Sequence, residues 1–430
     1  MGSGGLPGRH LALLRGAPSF RALFLATLGS GLGTGLAVIA LTVDVFDRTG
    51  SGKWVAALLI AEFLPMLVIG LLLAPLIDRL SRRSVMIASD LLRVAVFCAL
   101  PFATSPAMIV ALAAVAGLAT GLFRPAVYAG MPNLVHERDL PQANALFQAV
   151  ENLTWLLGPL LGGLLLAASG PDVAYWLNAA TFLLSAALVY GIPKRMLQIA
   201  TAPTRGHFRD LGDGFRAVRQ SRALVTVIVA WTVVMLANAH VNVAEVSLAK
   251  VSFASGNVGL GVLMAAAGLG LMLGSLAGGS WVEQRPMAVA YGTAIALMGI
   301  GVGLAAIAPN VWVAAACVVV SGFGNGVAGV CNPVLVQRGA PDHLRGRAFT
   351  VIMSVNTVFL GVGMALAGPV VDAWGARWAW GGAAAVNVVA AVIAFVLARG
   401  IAAGPVEEDL EPVSLVPVAA PQAAQGERAL

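Results

Sequence analysis

Twelve apolar runs, each about twenty residues long and parted by short polar breaks, leave this chain few ways to fold. A helix needs roughly 20 apolar residues to cross the hydrocarbon core of a bilayer. The runs fall near 22–46, 54–77, 85–102, 108–129, 143–168 and 174–190, then 224–248, 258–281, 288–308, 311–336, 349–371 and 378–397. A water-soluble shell cannot be built around them, because only 11% of the residues are charged, against roughly 25% in an average soluble domain. Lipid offers no partner to backbone N–H and C=O groups, so each run must close its hydrogen bonds within itself as a helix. The expected fold is an all-α polytopic membrane protein with 12 transmembrane helices.

A net charge of +6 would suit a nucleic-acid partner if the basic residues formed one patch, but they follow the loops. With both termini placed inside, twenty of the 26 Lys and Arg residues fall in cytoplasmic segments. Four (Arg48, Lys53, Lys250, Arg377) fall on the other side, and Arg93 and Arg124 lie inside spans. The positive-inside rule then predicts a multi-pass protein of the cell (inner or plasma) membrane with both termini cytoplasmic. No nucleic acid is expected among its partners. The first apolar run is too long for a signal peptide and lacks a cleavage site, so it stays as the first span. Cys98, Cys317 and Cys331 lie inside apolar runs without CxxC spacing and read as buried thiols.

The one long internal polar stretch, 192–222, divides the chain into two halves of six spans. The expected organisation is a cytoplasmic N-terminus (1–21), an N-terminal six-helix half (22–191), a cytoplasmic linker (192–222), a C-terminal six-helix half (223–398) and a disordered cytoplasmic tail (399–430). Gly70 and Gly274, Leu140 and Leu344, and Asn152 and Asn356 each stand 204 residues apart, at matching places in the two halves. Such spacing fits two pseudo-symmetric bundles descended from one repeated unit.

Between spans 2 and 3 lies APLIDRLSRR (Ala74 to Arg83), an acid and bases around a tight turn. It resembles the cytoplasmic signature of the major facilitator superfamily, with Asp78, Arg79, Arg82 and Arg83 at the charged positions and Ala74 and Ser81 where members usually carry glycine. The resemblance implies a conformational gate in which these charges clamp neighbouring helices in the outward-facing state. Span 5 contains GPLLGG (Gly158, Pro159, Gly162, Gly163), similar to a signature of the exporter and antiporter branches. Proline frees a backbone carbonyl and glycine admits close helix approach, so this run can bend and seat a contact between halves. FRPA (Phe123 to Ala126), LPQANAL (Leu140 to Leu146) and HLRGRAF (His343 to Phe349) resemble the bacterial branch that includes macrolide and siderophore exporters.

An ionised side chain at the bilayer centre costs roughly 2.5 to 3.5 kcal/mol, so each one must face protein or water. Glu62, roughly 12 Å below the outer end of span 2, is the foremost proton-coupling candidate, followed by Asp44 and Glu245. Each could equally hold a fixed hydrogen bond to a neighbouring helix. Asp90 and Arg124 lie at matching depths in spans 3 and 4 and are expected to form a structural ion pair, which Arg93 could share. Span 7 carries Asn238, His240, Asn242 and Glu245 in an otherwise apolar helix. With Glu151, Asn152, Trp155, Asn325 and Asn356 they are the candidates to line a midplane cavity, though each could serve only as an interhelical hydrogen bond.

GSGKW (Gly50 to Trp54) lacks the leading Gly and the Ser or Thr of a phosphate-binding loop, so ATP-driven transport is unsupported. The glycines from Gly29 to Gly35 sit inside a span and read as helix packing. The five histidines are scattered, and no metal or cofactor is expected. The resemblance implies a secondary active transporter working as a monomer, a proton-coupled exporter of a small amphiphilic molecule such as a drug, siderophore or secondary metabolite. An uptake carrier or a lysophospholipid transporter of the same fold stands as the alternative. A membrane enzyme or sensor is less favoured, since the chain shows no interfacial catalytic cluster.

Overall fold

The computed structural model describes residues 13–68, 80–136, 139–197, 215–216, 218–340 and 342–401. Twelve long helices account for most of them. In the first half these are α1 (Pro18–Thr49), α2 (Gly52–Val68), α3 (Arg82–Ala99), α4 (Pro106–Gly130), α5 (Leu140–Ser169) and α6 (Pro171–Tyr190). In the second they are α7 (Arg222–Ser247), α8 (Gly256–Glu283), α9 (Met287–Ala306), α10 (Val311–Gly339), α11 (Asp342–Trp374) and α12 (Ala376–Leu397). Among the described residues, eleven are long and apolar enough to cross a membrane, and α2 is described over 17 residues.

Several helices run past the apolar boundaries read from sequence. α11 begins at Asp342 and α1 ends at Thr49, because polar residues at a helix end are solvated by water or head groups and need not break the backbone ladder. Local chemistry sets the turns. Ser105, Ser221 and Asn310 accept backbone N–H bonds at the starts of α4, α7 and α10. The α5–α6 and α11–α12 turns each consist of one glycine in a left-handed conformation, Gly170 (φ 76°) and Gly375 (φ 83°), which a Cβ would strain.

The packing repeats itself. In the first half α1 packs on α5 and α6, α2 on α4, and α3 on α4 and α6; in the second, α7 packs on α11 and α12, α8 on α10, and α9 on α10 and α12. Adding six to each helix number converts one set into the other. The main contacts between halves obey the same rule, since α2 on α11 is the mate of α8 on α5. The chain is two pseudo-symmetric six-helix bundles.

Candidate transport cavity and gate

The halves meet from mid-depth to the rim at the end of α1 and the start of α2. On α5, Gly158 lies against Gly35 and Gly162 against Leu36 and Ile39 of α1, whereas Gly163 faces Asn257 and Gly261 of α8. Deeper along the same helix the backbone at Trp155 and Leu156 meets Gly268 of α8. The GPLLGG run therefore joins α5 to its own bundle and to the opposite one at once. Across the mating joint, Gly52 and Lys53 at the start of α2 lie against Gly368 and Val371 of α11. Two acids that sequence reasoning passed over fasten this rim. Asp47 pairs with Lys250 in the π-helical turn that follows α7, and Asp372 at the end of α11 reaches the start of α2. Each stands one residue past the end of an apolar run, at 46 and at 371.

The opposite rim is where the gate residues were expected. Arg82 donates to the carbonyl of Ala129 at the end of α4, and Arg83 to those of Val189 and Tyr190 at the end of α6 while lying over the Tyr190 ring. Both guanidinium groups thus neutralise helix C-termini of their own bundle. Asp78 and Arg79 lie outside the described residues.

The cavity face of α5 follows from helical geometry. With about 100° between successive residues, the α1-facing stripe (Thr154, Gly158, Gly162) and the α8-facing stripe (Leu156, Gly163) flank a strip that contains Trp155. Trp155 is 58% exposed there, and Glu151 lies one turn along. Exposed Leu153, Leu161 and Leu164 occupy the far side, where lipid would lie. The side chain of Asn152 is outside the described set.

On α7 the same reasoning splits the polar patch. Leu236 and Ala239 pack on Gly363 of α11, and the Val241 carbonyl accepts the Trp380 indole N–H of α12 at 3.2 Å. Asn238, Asn242 and Glu245 occupy the side left over, toward the other half. His240 does not join them: two residues turn a helix by about 200°. Its Nδ1 lies 2.9 Å from the Leu236 carbonyl, and its ring lines a crevice of about 600 Å³ with Val370, Trp374, Trp378 and Val386 between α11 and α12. Asn356 is also removed from the cavity. It is buried and accepts a hydrogen bond from Thr232 at 3.1 Å, holding α11 to α7. Asn325 is half-buried, with no hydrogen bond to a described residue.

The ionised groups sort by their partners. Asp90 and Arg124 are not brought together. Asp90 instead takes Arg93, one turn along α3, and the Ser185 hydroxyl of α6, while Arg124 donates to Glu151 Oε1. Equal depth did not suffice, because each charge had a nearer partner. Asp44 is fixed by Arg48 one turn on (2.6 Å) and by the Tyr175 hydroxyl (3.0 Å). Glu62 and Glu245 differ from all of these. Glu62 is half-buried, with its backbone against Gly117 of α4, and Glu245 is buried; neither has a hydrogen bond or ion pair among the described residues. No cluster of His, Cys, Asp and Glu among the described residues could hold a metal ion.

Two mated bundles, clamped at one rim around a face bearing acids, amides and an exposed tryptophan, define a polytopic membrane carrier rather than an enzyme or a receptor. The model of the Major Facilitator Superfamily matches residues 23–364 and 260–423, and the chain belongs to that family of transporters. It is 30% identical over 374 residues to the multidrug efflux pump Tap of Mycolicibacterium fortuitum, covering 82% of this chain and 89% of that one. It is 28% identical over 372 residues to the enterobactin exporter EntS of Salmonella typhimurium, covering 84% and 87%. Among solved structures, the nucleoside transporter NupG superposes with a TM-score of 0.74 at 14% identity, covering 89% of this chain and 99% of that one. A bacterial homologue of the iron transporter ferroportin in its inward-facing state gives 0.71 at 14%, with the same coverage.

Proposed function

We propose that this protein is a proton-coupled exporter of small amphiphilic molecules, working as a monomer by alternating access with both termini in the cytoplasm. The observation that carries the reading is the pair Glu62 and Glu245, one carboxylate in each half, within the apolar helices α2 and α7 and both without a partner among the described residues. A carboxylate with no fixed partner is free to take up and release a proton as water reaches it and leaves. One proton crossing about 100 mV yields roughly 2.3 kcal/mol, enough for about a fiftyfold gradient of a neutral solute.

Direction follows from two supports. The relatives named above are an efflux pump and an exporter. With the termini inside, as the loop charges favour, the clamped rim is the outer one, so this conformation receives solute from the cytoplasm. Reconstitution in vesicles tests the reading. An imposed pH gradient is expected to drive uphill flux of an amphiphilic probe, and Glu62→Gln or Glu245→Gln to leave only downhill flux. Full response to the gradient in the double variant removes the proton assignment, and flux driven only toward the cytoplasmic side makes the protein an uptake carrier.

A further inference from the structure

Glu151 uses half of its carboxylate. Arg124 and the Tyr128 hydroxyl both donate to Oε1, the latter at 2.6 Å, and Oε2 accepts nothing from a described residue. The group is open, its side chain 27% exposed, and Arg124 beside it is 48% exposed. Tyr128 is 40% exposed, and Trp155 follows Glu151 one turn along the cavity strip of α5. An acceptor oxygen with free capacity therefore lies beside the Tyr128 hydroxyl, with the exposed Trp155 one helical turn along.

We infer that Glu151, Tyr128 and Trp155 form a subsite for aromatic organic cations, with Arg124 as the internal cation that holds the carboxylate until substrate arrives. An ammonium or N–H⁺ group donates to Oε2 while its ring system lies against Trp155 and Tyr128, combining a charge-assisted hydrogen bond with cation–π attraction. Phe147, the other aromatic residue of α5, is buried, whereas Trp155 is exposed, and a large exposed ring near a carboxylate is an arrangement that recognises flat cations. An anion is disfavoured because the charge of Arg124 is already met by Glu151, and an anion on Arg124 would sit against that carboxylate. The inference gives the substrate class of the exporter proposed above, and rests on that reading for the use of the site but not for its existence.

Binding to the purified full-length protein in detergent separates the two. The probes are ethidium, a planar permanent cation whose ring amino groups, conjugated with the charge, are the donors to Oε2, and carboxyfluorescein, an aromatic anion. Saturable ethidium binding is expected, weakened about tenfold or more by Glu151→Gln and by Trp155→Ala but within about threefold of wild type in Glu151→Asp. Arg124→Gln supplies the measurement that a purely structural pair would not produce: with the internal competitor gone, ethidium should bind several-fold more tightly. No saturable ethidium binding, unchanged binding in Glu151→Gln, or preference for carboxyfluorescein lost in Arg124→Gln each overturns the subsite. Flux in vesicles is scored independently. Ethidium binding that depends on Glu151 without any proton-driven flux leaves the subsite standing and removes the exporter.

Discussion

Asp372, the last acid of α11, caps the first turn of α2 across the interface between halves: its Oδ1 accepts the Gly52 backbone N–H at 2.5 Å and its Oδ2 the Ser51 hydroxyl at 2.9 Å. A carboxylate at a helix N-terminus satisfies an orphan donor and meets the positive end of the dipole. Here the cap comes from the other bundle, so it exists only while this rim is closed. The pseudo-symmetric mate of Asp372 is Ala168, 204 residues earlier, so the device is one-sided.

Asp372→Ala should accordingly shift the population away from the form closed at this rim. Loss of an N-cap costs about 0.5–2 kcal/mol, which corresponds to a change of roughly two- to thirtyfold in the ratio of conformers. Spin labels on the two sides of the rim, read by pulsed dipolar spectroscopy, check this. An unchanged distance distribution would mean the cap follows closure without contributing to it.

Gly163 tests the other joint. A Cβ there would stand 2.7 Å from the Asn257 carbonyl oxygen and 3.0 Å from the Gly261 Cα, both backbone atoms that cannot swing aside. Gly163→Ala is therefore expected to hold α5 and α8 apart and to reduce transport by about tenfold or more while the protein still inserts, since helix contacts of this kind depend on close backbone approach. Gly361→Ala is the control, because a Cβ at that position meets nothing within 4 Å. Equal transport by the two variants would show that the close approach at Gly163 is not needed for the cycle.

Much of the architecture was legible because lipid enforces it. Length and polarity alone mark a span, and the bias of basic residues among the loops sets an expected orientation. The repeat was visible in pairs such as Asn152 and Asn356, but the spacing did not reveal that Asn356 accepts a hydrogen bond from Thr232 and is buried there. Partners were much less legible. Which charge meets which depends on helix rotation and neighbour choice, and a hydropathy pattern carries neither. Arg93, one turn from Asp90, is legible in the sequence as able to share that charge, and the i,i+4 rule could likewise have found Arg48 for Asp44. Nothing in the sequence joined Asp372 to Gly52, which are 320 residues apart.

Asp44 should prove structural. It accepts Arg48 through both oxygens, at 2.6 and 3.2 Å, and the Tyr175 hydroxyl at 3.0 Å, and Arg48 in turn donates to the Ala103 carbonyl at 2.8 Å. Asp44→Asn is expected to cost about 1–3 kcal/mol of stability by leaving these donors poorly met, and to lower the thermal midpoint in detergent. The response of flux to an imposed pH gradient should survive. Loss of that response with an unchanged midpoint would make Asp44 a proton carrier instead.

The pair Asp90 and Arg93 gives the sharpest energetic test, because both side chains are almost wholly withdrawn from solvent, with 0% and 5% exposed. The Arg93 guanidinium lies 4.5 Å from the Phe123 ring centre and 4.1 Å from that of Phe182, while Ser185 donates to Asp90 Oδ2 at 2.7 Å. Removing one partner abandons the other charge among apolar groups, at a cost of about 3–5 kcal/mol. Removing both leaves only a repacking problem. Asp90→Leu and Arg93→Met should each destabilise the first bundle severely, and the double variant should recover most of the loss, a coupling of about 2 kcal/mol or more in a double-mutant cycle. Additive losses would show that the two charges are stabilised separately, Asp90 by Ser185 and Arg93 by the rings.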